Sequence, residues 1–418
     1  MREWMRVAWI SVAAAGVAGC ASDGPRGVQV AADTASSADA AVAADTELPG
    51  GDGASEAEDA AVTEVATSLP NACDADGDCD RGACRSGVCI IDPPAAAAGG
   101  LDDPSTGLPS DEAVDLACAD RSWETPETPD RAAMVGALAR FGSGRNTTGL
   151  QVDVLLAEGF DPTPCEVEAD AEAQTACYRA LGPVIGTATT VARADHAELP
   201  SVCSTHEECP YGFQCYDPAK LGGKCEAQFG VYRIEDLPLD TPLIIRARAV
   251  SPTDQSRWHD TWMFHVFLSS AAVVDGAVHY DAQIVSEPQW LLTANSVGLG
   301  EIPPENGAIG GRVRDCHQAD RAAWPIHEVR VGLARPAEKV VYFNNLEDDT
   351  VPLVDRETTH VHGRYAALNI AAGWNVIAGA VRLGDTVRSV GAIPVYVFPN
   401  ALSIASWPGI NPHWRQKD

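Results

Sequence analysis

Two histidines one residue apart, His360 and His362, form the sharpest metal-binding pattern in the chain. On a strand, residues two apart face the same side, so both imidazoles reach one transition-metal ion. On a loop they are ordinary solvated side chains. Asp74, Asp76, Asp78 and Asp80 alternate along one short stretch and offer the crowded carboxylate oxygens that hard Ca²⁺ takes. Acidic turns facing water are the competing reading. Trp258 and Trp374 are the candidates for stacking on a sugar ring, Trp374 in a turn between two strands; core packing is the alternative for both. A nucleophile elbow, an H-E-x-x-H helix, a phosphate loop and a dinucleotide fingerprint are all missing from the sequence. No catalytic residue is assigned, no enzyme is expected, and no cofactor is expected beyond the possible Ca²⁺.

Cysteine is the next most informative residue type. The chain has 13, and setting Cys20 aside leaves an even number, which in an exported protein reads as disulfides. Cys73, Cys79, Cys84 and Cys89 are spaced C-x5-C-x4-C-x4-C, and Cys203, Cys209, Cys215 and Cys225 are spaced C-x5-C-x5-C-x9-C. Each group is too short to build a core and needs crosslinks. Zinc competes for such clusters, but neither shows the C-x2-C pairs usual in a thiolate site. Each knot is expected to pair within itself, in any of three ways. Cys165 and Cys177 pair by proximity, and Cys118 and Cys316 by elimination.

These groups sit in a strongly acidic chain with a distinctive start. The 418 residues carry a formal charge of −30, which argues against nucleic acid as a partner. Arg2 and Arg6 precede an apolar run from Val7 to Ala18, too short to span a bilayer and apt for a signal-peptide core. Val17-Ala18-Gly19-Cys20 then resembles the lipobox of bacterial lipoproteins. The resemblance implies cleavage before Cys20, lipidation of its sulfur and amine, and anchoring in a membrane. Ala21 at the next position resembles the pattern sent to the outer membrane of Gram-negative bacteria. Between Ala21 and Ala72 stand ten acidic residues against Arg26 alone, a composition expected to stay disordered as a tether.

The rest reads as β structure. Met134–Ala139, Gln151–Leu155, Val184–Ala192 and Leu243–Val250 are strand-like, punctuated by Pro and Gly as in sandwiches. Thr261–Leu268, Gly276–Ile284 and Gln289–Leu292 are further strand-like runs. An internal repeat organises these elements: Gly230-Val231-Tyr232 and Gly363-Arg364-Tyr365 each open a strand, followed by a turn and a longer apolar strand. Upstream lie Gly136 with Val152–Leu156 in one copy, and Gly310-Gly311 with Val329–Leu333 in the other. Tyr232 and Tyr365 are expected at equivalent places in two separate sandwiches. Leu243 and Ile245 are expected to point inward, as are Val376 and Ala378.

Gly311-Arg312-Val313-Arg314-Asp315-Cys316, Gly363-Arg364-Tyr365, Gly230-Val231-Tyr232 and Leu237-Pro238 resemble the motifs of the carboxypeptidase regulatory-like domain. That family implies a transthyretin-like β sandwich that accompanies catalytic domains without catalysing. Intradiol dioxygenases share the sandwich type and hold iron with a His-x-His pair and two tyrosines, but the order of those elements differs here.

The resulting map is a signal peptide (1–19), a tether (20–72), a cysteine-rich module (73–92) and a Pro/Ala/Gly linker (93–116). A first sandwich (117–252) carries the second module (203–225), a bridging β segment (253–307) follows, and a second sandwich (308–400) precedes a tail (401–418). The fold class is mainly β, with two Ig/transthyretin-like sandwiches in tandem. The expected function is a non-enzymatic envelope lipoprotein with structural, adhesive or protein-binding roles. A carbohydrate-binding surface module is the alternative, and a metal-dependent enzyme on a transthyretin-like scaffold a remote one.

Overall fold

The computed structural model describes residues 69–103, 108–119, 126–141, 147–168, 170–192, 213–216, 224–227, 230–316, 323–344 and 351–407. Cys20, Cys203 and Cys209 lie outside them. Among the described residues no helix is long and apolar enough to cross a membrane.

The chain is mainly β. The first knot holds the hairpin β1 (Ala83–Arg85) and β2 (Val88–Ile90), and β3 (Gly100–Asp103) and β4 (Leu108–Ser110) follow. The first half contains β5 (Arg131–Phe141), β6 (Gln151–Leu156), β7 (Val184–Thr189), the second knot's β8 (Phe213–Tyr216) and β9 (Lys224–Ala227), and then β10 (Gly230–Pro238) and β11 (Leu243–Arg248). It ends with β12 (Trp258–His259), β13 (Thr261–Val266), β14 (Ala277–His279) and β15 (Ala282–Ser286). The second half contains β16 (Asn306–Arg312), β17 (Ile326–His327), β18 (Val329–Leu333), β19 (Lys339–Phe343), β20 (Pro352–Leu353), β21 (Arg364–Ala371), β22 (Gly373–Leu383), β23 (Thr386–Val397) and β24 (Leu402–Ile404).

Three sheets build the core. A five-stranded sheet runs β10-β5-β15-β12, with β14 also on β5, and a three-stranded sheet runs β18-β22-β23. Between them lies one nine-stranded sheet, β20-β19-β21-β16-β24-β13-β11-β6-β7. Because strand side chains alternate, its two faces enter different cores. Leu243, Ile245 and Leu368 meet Met134, Leu138 and Ile284 of the five-stranded sheet. Ile244 and Ala367 point the other way, into the core shared with Val331, Ile377 and Val395 of the three-stranded sheet.

The tandem sandwiches are therefore not separate. They share a sheet, and the seam is β24, parallel to both neighbours: Leu402 lies opposite Thr261 and Ala308, and Ile404 opposite Met263 and Gly310. Residues 401–407, read from sequence as the start of a tail, are buried or half-buried here.

The repeat itself is present. Tyr232 on β10 faces Gly136 on β5, and Tyr365 on β21 faces Gly311 on β16, both antiparallel. On the far side of each glycine strand runs a parallel segment, β14 with His279 opposite Val135 and β24 with Ile404 opposite Gly310. The next residue of that segment takes the tyrosine proton: Tyr232 donates to the Tyr280 carbonyl and Tyr365 to the Ala405 carbonyl. Each glycine is needed because its Cβ position is already filled. A Cβ on Gly136 would stand 1.9 Å from Tyr280 O, and one on Gly311 1.9 Å from Ala405 O.

Several expectations change in detail. Leu243 and Ile245 point into the first core, but Val376 and Ala378 face outward, under the first knot. Ile377 is the inward residue there, since a cover on both faces removes the alternation that sets register. Gln289–Leu292 lies in a helix, Glu287–Ser296, with Pro288 in its first turn; a four-residue apolar run does not distinguish strand from helix. The strands of 253–307 pair with the first sandwich, β13 on β11 and β15 on β5, and β13 also pairs with β24 at the seam between the halves. The stretch read as a linker is tied down by β3, which pairs with β17.

Candidate functional site

The junction of the two halves holds a buried cluster of polar groups, Asp153, Arg246 and His259 among them. Its helix, Ala171–Ala180, is capped at its start by Asp170, whose side chain accepts from Ala173 N, and Cys177 bonds to Cys165 just before it. At its end, Arg246 on β11 donates through Nη1 to the carbonyls of Tyr178 (3.1 Å) and Arg179 (2.8 Å). A cation at a helix C-terminus meets both the orphan carbonyls and the negative end of the dipole. The rest of the guanidinium faces Asp153 on β6, with Nε and Nη2 at 2.9 and 2.7 Å from Oδ2. Both side chains are 1% exposed. Burial by itself pushes the Asp153 carboxyl up, but Arg246 with hydrogen bonds from Gln151 and Thr187 outweighs it and holds the group below the usual range.

Beside this pair lies a hollow of about 80 Å³ lined by Tyr178, Arg179, Trp258, His259, Asp260 and Asn400, among others. Its polar groups are mutually occupied. Arg179 bonds Asp260 at 3.0 Å, and His259 lies between Glu287 and the Asn400 carbonyl with its ring stacked on Trp290. Ligand pockets run to roughly 300–1,000 Å³, so this hollow admits a few waters or one small group. Tyr178 and Tyr396 share a hydrogen bond of 2.8 Å, and Tyr396 also donates to Glu166. Burial raises both phenols, so they stay protonated and serve as polar packing.

The sequence candidates are scattered. Trp258 is 6% exposed, in the first core. Trp374 is half-buried at the start of β22, opposite Tyr396 and edge-on to its ring, not in an open turn. His360 and His362 lie outside strands, before β21, with His362 at φ 76° in a turn. The same-side geometry of a strand therefore does not apply. Burial and then the Arg356 guanidinium hold the His360 imidazole below its usual range.

Two of the four aspartates turn to the backbone. Asp78 accepts from the amides of Asp74 and Ala75, and Asp76 from the amide of Cys84; the Ala75 amide and then the Asp74 amide hold the Asp78 carboxyl low. All four are exposed. Bridges link Cys73 to Cys84, Cys79 to Cys89, Cys118 to Cys316 and Cys165 to Cys177. Cys215 and Cys225 are backbone register partners in the β8–β9 pair.

One pair had no sequence signal. Asp102, fully buried on β3, is hydrogen-bonded to His327 Nδ1 at 2.8 Å. It fastens the 93–116 stretch to the second half across a separation of 225 residues.

No family model matches the chain, and no curated protein matches it. Among solved structures, the shaft pilin SpaA from Lactobacillus rhamnosus GG is similar at 10% identity, covering 66% of this chain and 97% of the pilin, with a TM-score of 0.17. The minor pilin GBS52 of Streptococcus agalactiae is similar at 10% identity, covering 66% and 94%, with a TM-score of 0.14. A streptococcal ancillary pilin gives 11%, 66%, 62% and 0.13. The β sandwiches of this chain are defined by its own sheets. Within those sheets the junction residues hold helix, sheet and seam together.

Proposed function

We propose that the chain is an exported, lipid-anchored scaffold of the bacterial envelope, probing or joining other surface components by contact and not by catalysis. Lipidation at Cys20 tethers it to a membrane, most simply the outer membrane given Ala21, and the acidic stretch sets the folded part away from the lipid. The two sandwiches play the part that carboxypeptidase regulatory-like modules play elsewhere, presenting surface to protein or glycan partners. One observation carries the reading: the nine-stranded sheet runs through both halves and is sealed by β24. Buried polar groups at the junction are spent on holding that frame, as Arg246 is on the helix end.

Three acyl chains, each adding about 0.8 kcal/mol per buried CH₂, make a near-permanent anchor. In a Gram-negative host, the full chain is expected to partition into detergent and to label with palmitate. Cys20→Ala is expected to lose both while keeping the fold. Palmitate labelling and detergent partition that survive Cys20→Ala would sink the anchoring, and with it the envelope scaffold.

A further inference from the structure

The first knot is docked onto the second sandwich by contacts that do not involve its bridges. Leu69, Val88 and Ile90 pack with Ala334, Val376, Ala378 and Ala380. Asn71 donates from its amide to Ala334 O (2.8 Å) and from its side chain to Leu333 O (3.0 Å), and Cys89 N donates to Asn71 O (2.8 Å). The hairpin closes through Ser86 and Gly87, both at positive φ, and sets Cys84 directly opposite Cys89. Yet these two are not bonded to each other. Each reaches back to a loop cysteine, Cys84 to Cys73 and Cys89 to Cys79. The two bridges therefore lie side by side, and the sulfurs of Cys73, Cys79 and Cys89 are all within 4.8 Å of one another.

We propose that these four sulfurs are a two-state site: two disulfides when oxidised, and a tetrahedral thiolate site for Zn²⁺ when reduced. With Zn–S near 2.3 Å, the edges of such a tetrahedron are about 3.8 Å. Opening the bridges moves each bonded loop–hairpin pair apart to that spacing, while Cys84, whose sulfur lies outside the group of three, turns in as the fourth ligand. The sequence lacks a C-x2-C knuckle, and the hairpin supplies its substitute by holding two ligands face to face. Because the apolar dock and the Asn71 bonds survive reduction, the thiols stay gathered and little ordering is left for the metal to impose.

The chemistry balances. Two equivalents of a dithiol reduce the two bridges, each giving two electrons and two protons and ending as a disulfide. The four thiols then release four protons as Zn²⁺ binds, leaving a ZnS₄ centre of charge −2. Reoxidation by a disulfide-forming oxidant would expel the ion.

Differential alkylation of the full chain in detergent tests this without any variant. A phosphine replaces the dithiol, so that no added thiol competes for metal, and iodoacetamide labelling is compared with and without Zn²⁺. The expected result is that Zn²⁺ slows labelling of Cys73, Cys79, Cys84 and Cys89 about tenfold or more, while Cys118 and Cys316 label alike in both samples. Cys79→Ser is expected to abolish protection at the other three. Equal labelling of the four with and without Zn²⁺, or protection that survives Cys79→Ser, would overturn the site.

Discussion

Gly311→Ala lowers the stability of the folded chain by about 3 kcal/mol, and Gly136→Ala lowers it by a similar amount, as overpacking at a closed site does. The added methyl carbon would lie 1.9 Å from a backbone carbonyl oxygen in either case, far inside contact. The obstacle is main chain, so no rotamer change relieves it, and the parallel strand must move. In the first copy the displaced segment follows β14; in the second it follows β24, the seam between the halves. Tyr365→Phe and Tyr232→Phe provide the paired control. Each removes only the hydroxyl that donates to the same carbonyl and is expected to cost about 1–2 kcal/mol, the size of a buried hydrogen bond with its acceptor left behind. Chemical denaturation of the four variants reads these values. Tolerance of either glycine change within about 0.5 kcal/mol would mean that the repeat is not built as described.

Asp153→Ala is expected to cost about 3–5 kcal/mol, because it leaves the Arg246 guanidinium buried without its counter-charge. Arg246 is 1% exposed and lies over the Trp262 ring at 5.0 Å, so it has no path to water without lifting the helix Ala171–Ala180. Arg248, also 2.9 Å from Asp153 Oδ2, loses the same partner. Replacing both charges, Asp153→Leu with Arg246→Met, is expected to recover much of the loss, since a buried pair contributes little over apolar packing. A double-mutant cycle measures the coupling. The pH dependence has a definite sign. A carboxyl held low in the folded state contributes stability above its unfolded value near 3.9 and loses it as pH falls through the folded value. Wild type should therefore weaken below about pH 4 more steeply than Asp153→Asn. Parallel acid titrations of the two would contradict the arrangement.

Much of this fold is legible where the signal is local. Tyr232 and Tyr365 stand out because each opens a strand with a glycine two residues before it, and the facing glycines, Gly136 and Gly311, lie in their own short strand motifs. The paired knot cysteines are equally visible. What the sequence hides depends on coverage by distant chain. Val376 and Ala378 look like a core face because the first knot covers them, and a strand buried on both sides loses its polar alternation. Leu402–Ile404 reads as part of a tail because three residues carry no periodicity, although they join two halves. Arg246 sits in a run that suggests a solvent face, and only the helix packed over it makes it internal. Asp102 and His327 are too far apart in sequence for any pattern to link them. For the candidate sites, alternation of His360 and His362 or of four aspartates implies convergence only on a strand or in a calcium loop. Turns send these side chains elsewhere.

Calorimetry of the full chain tests most directly whether the two sandwiches are one structure. A shared sheet closed by β24 predicts a single transition in which calorimetric and van't Hoff enthalpies agree. It also predicts that Gly311→Ala, at the seam, lowers the midpoint of that whole transition. Two resolved transitions, with Gly311→Ala moving only one of them, would contradict it.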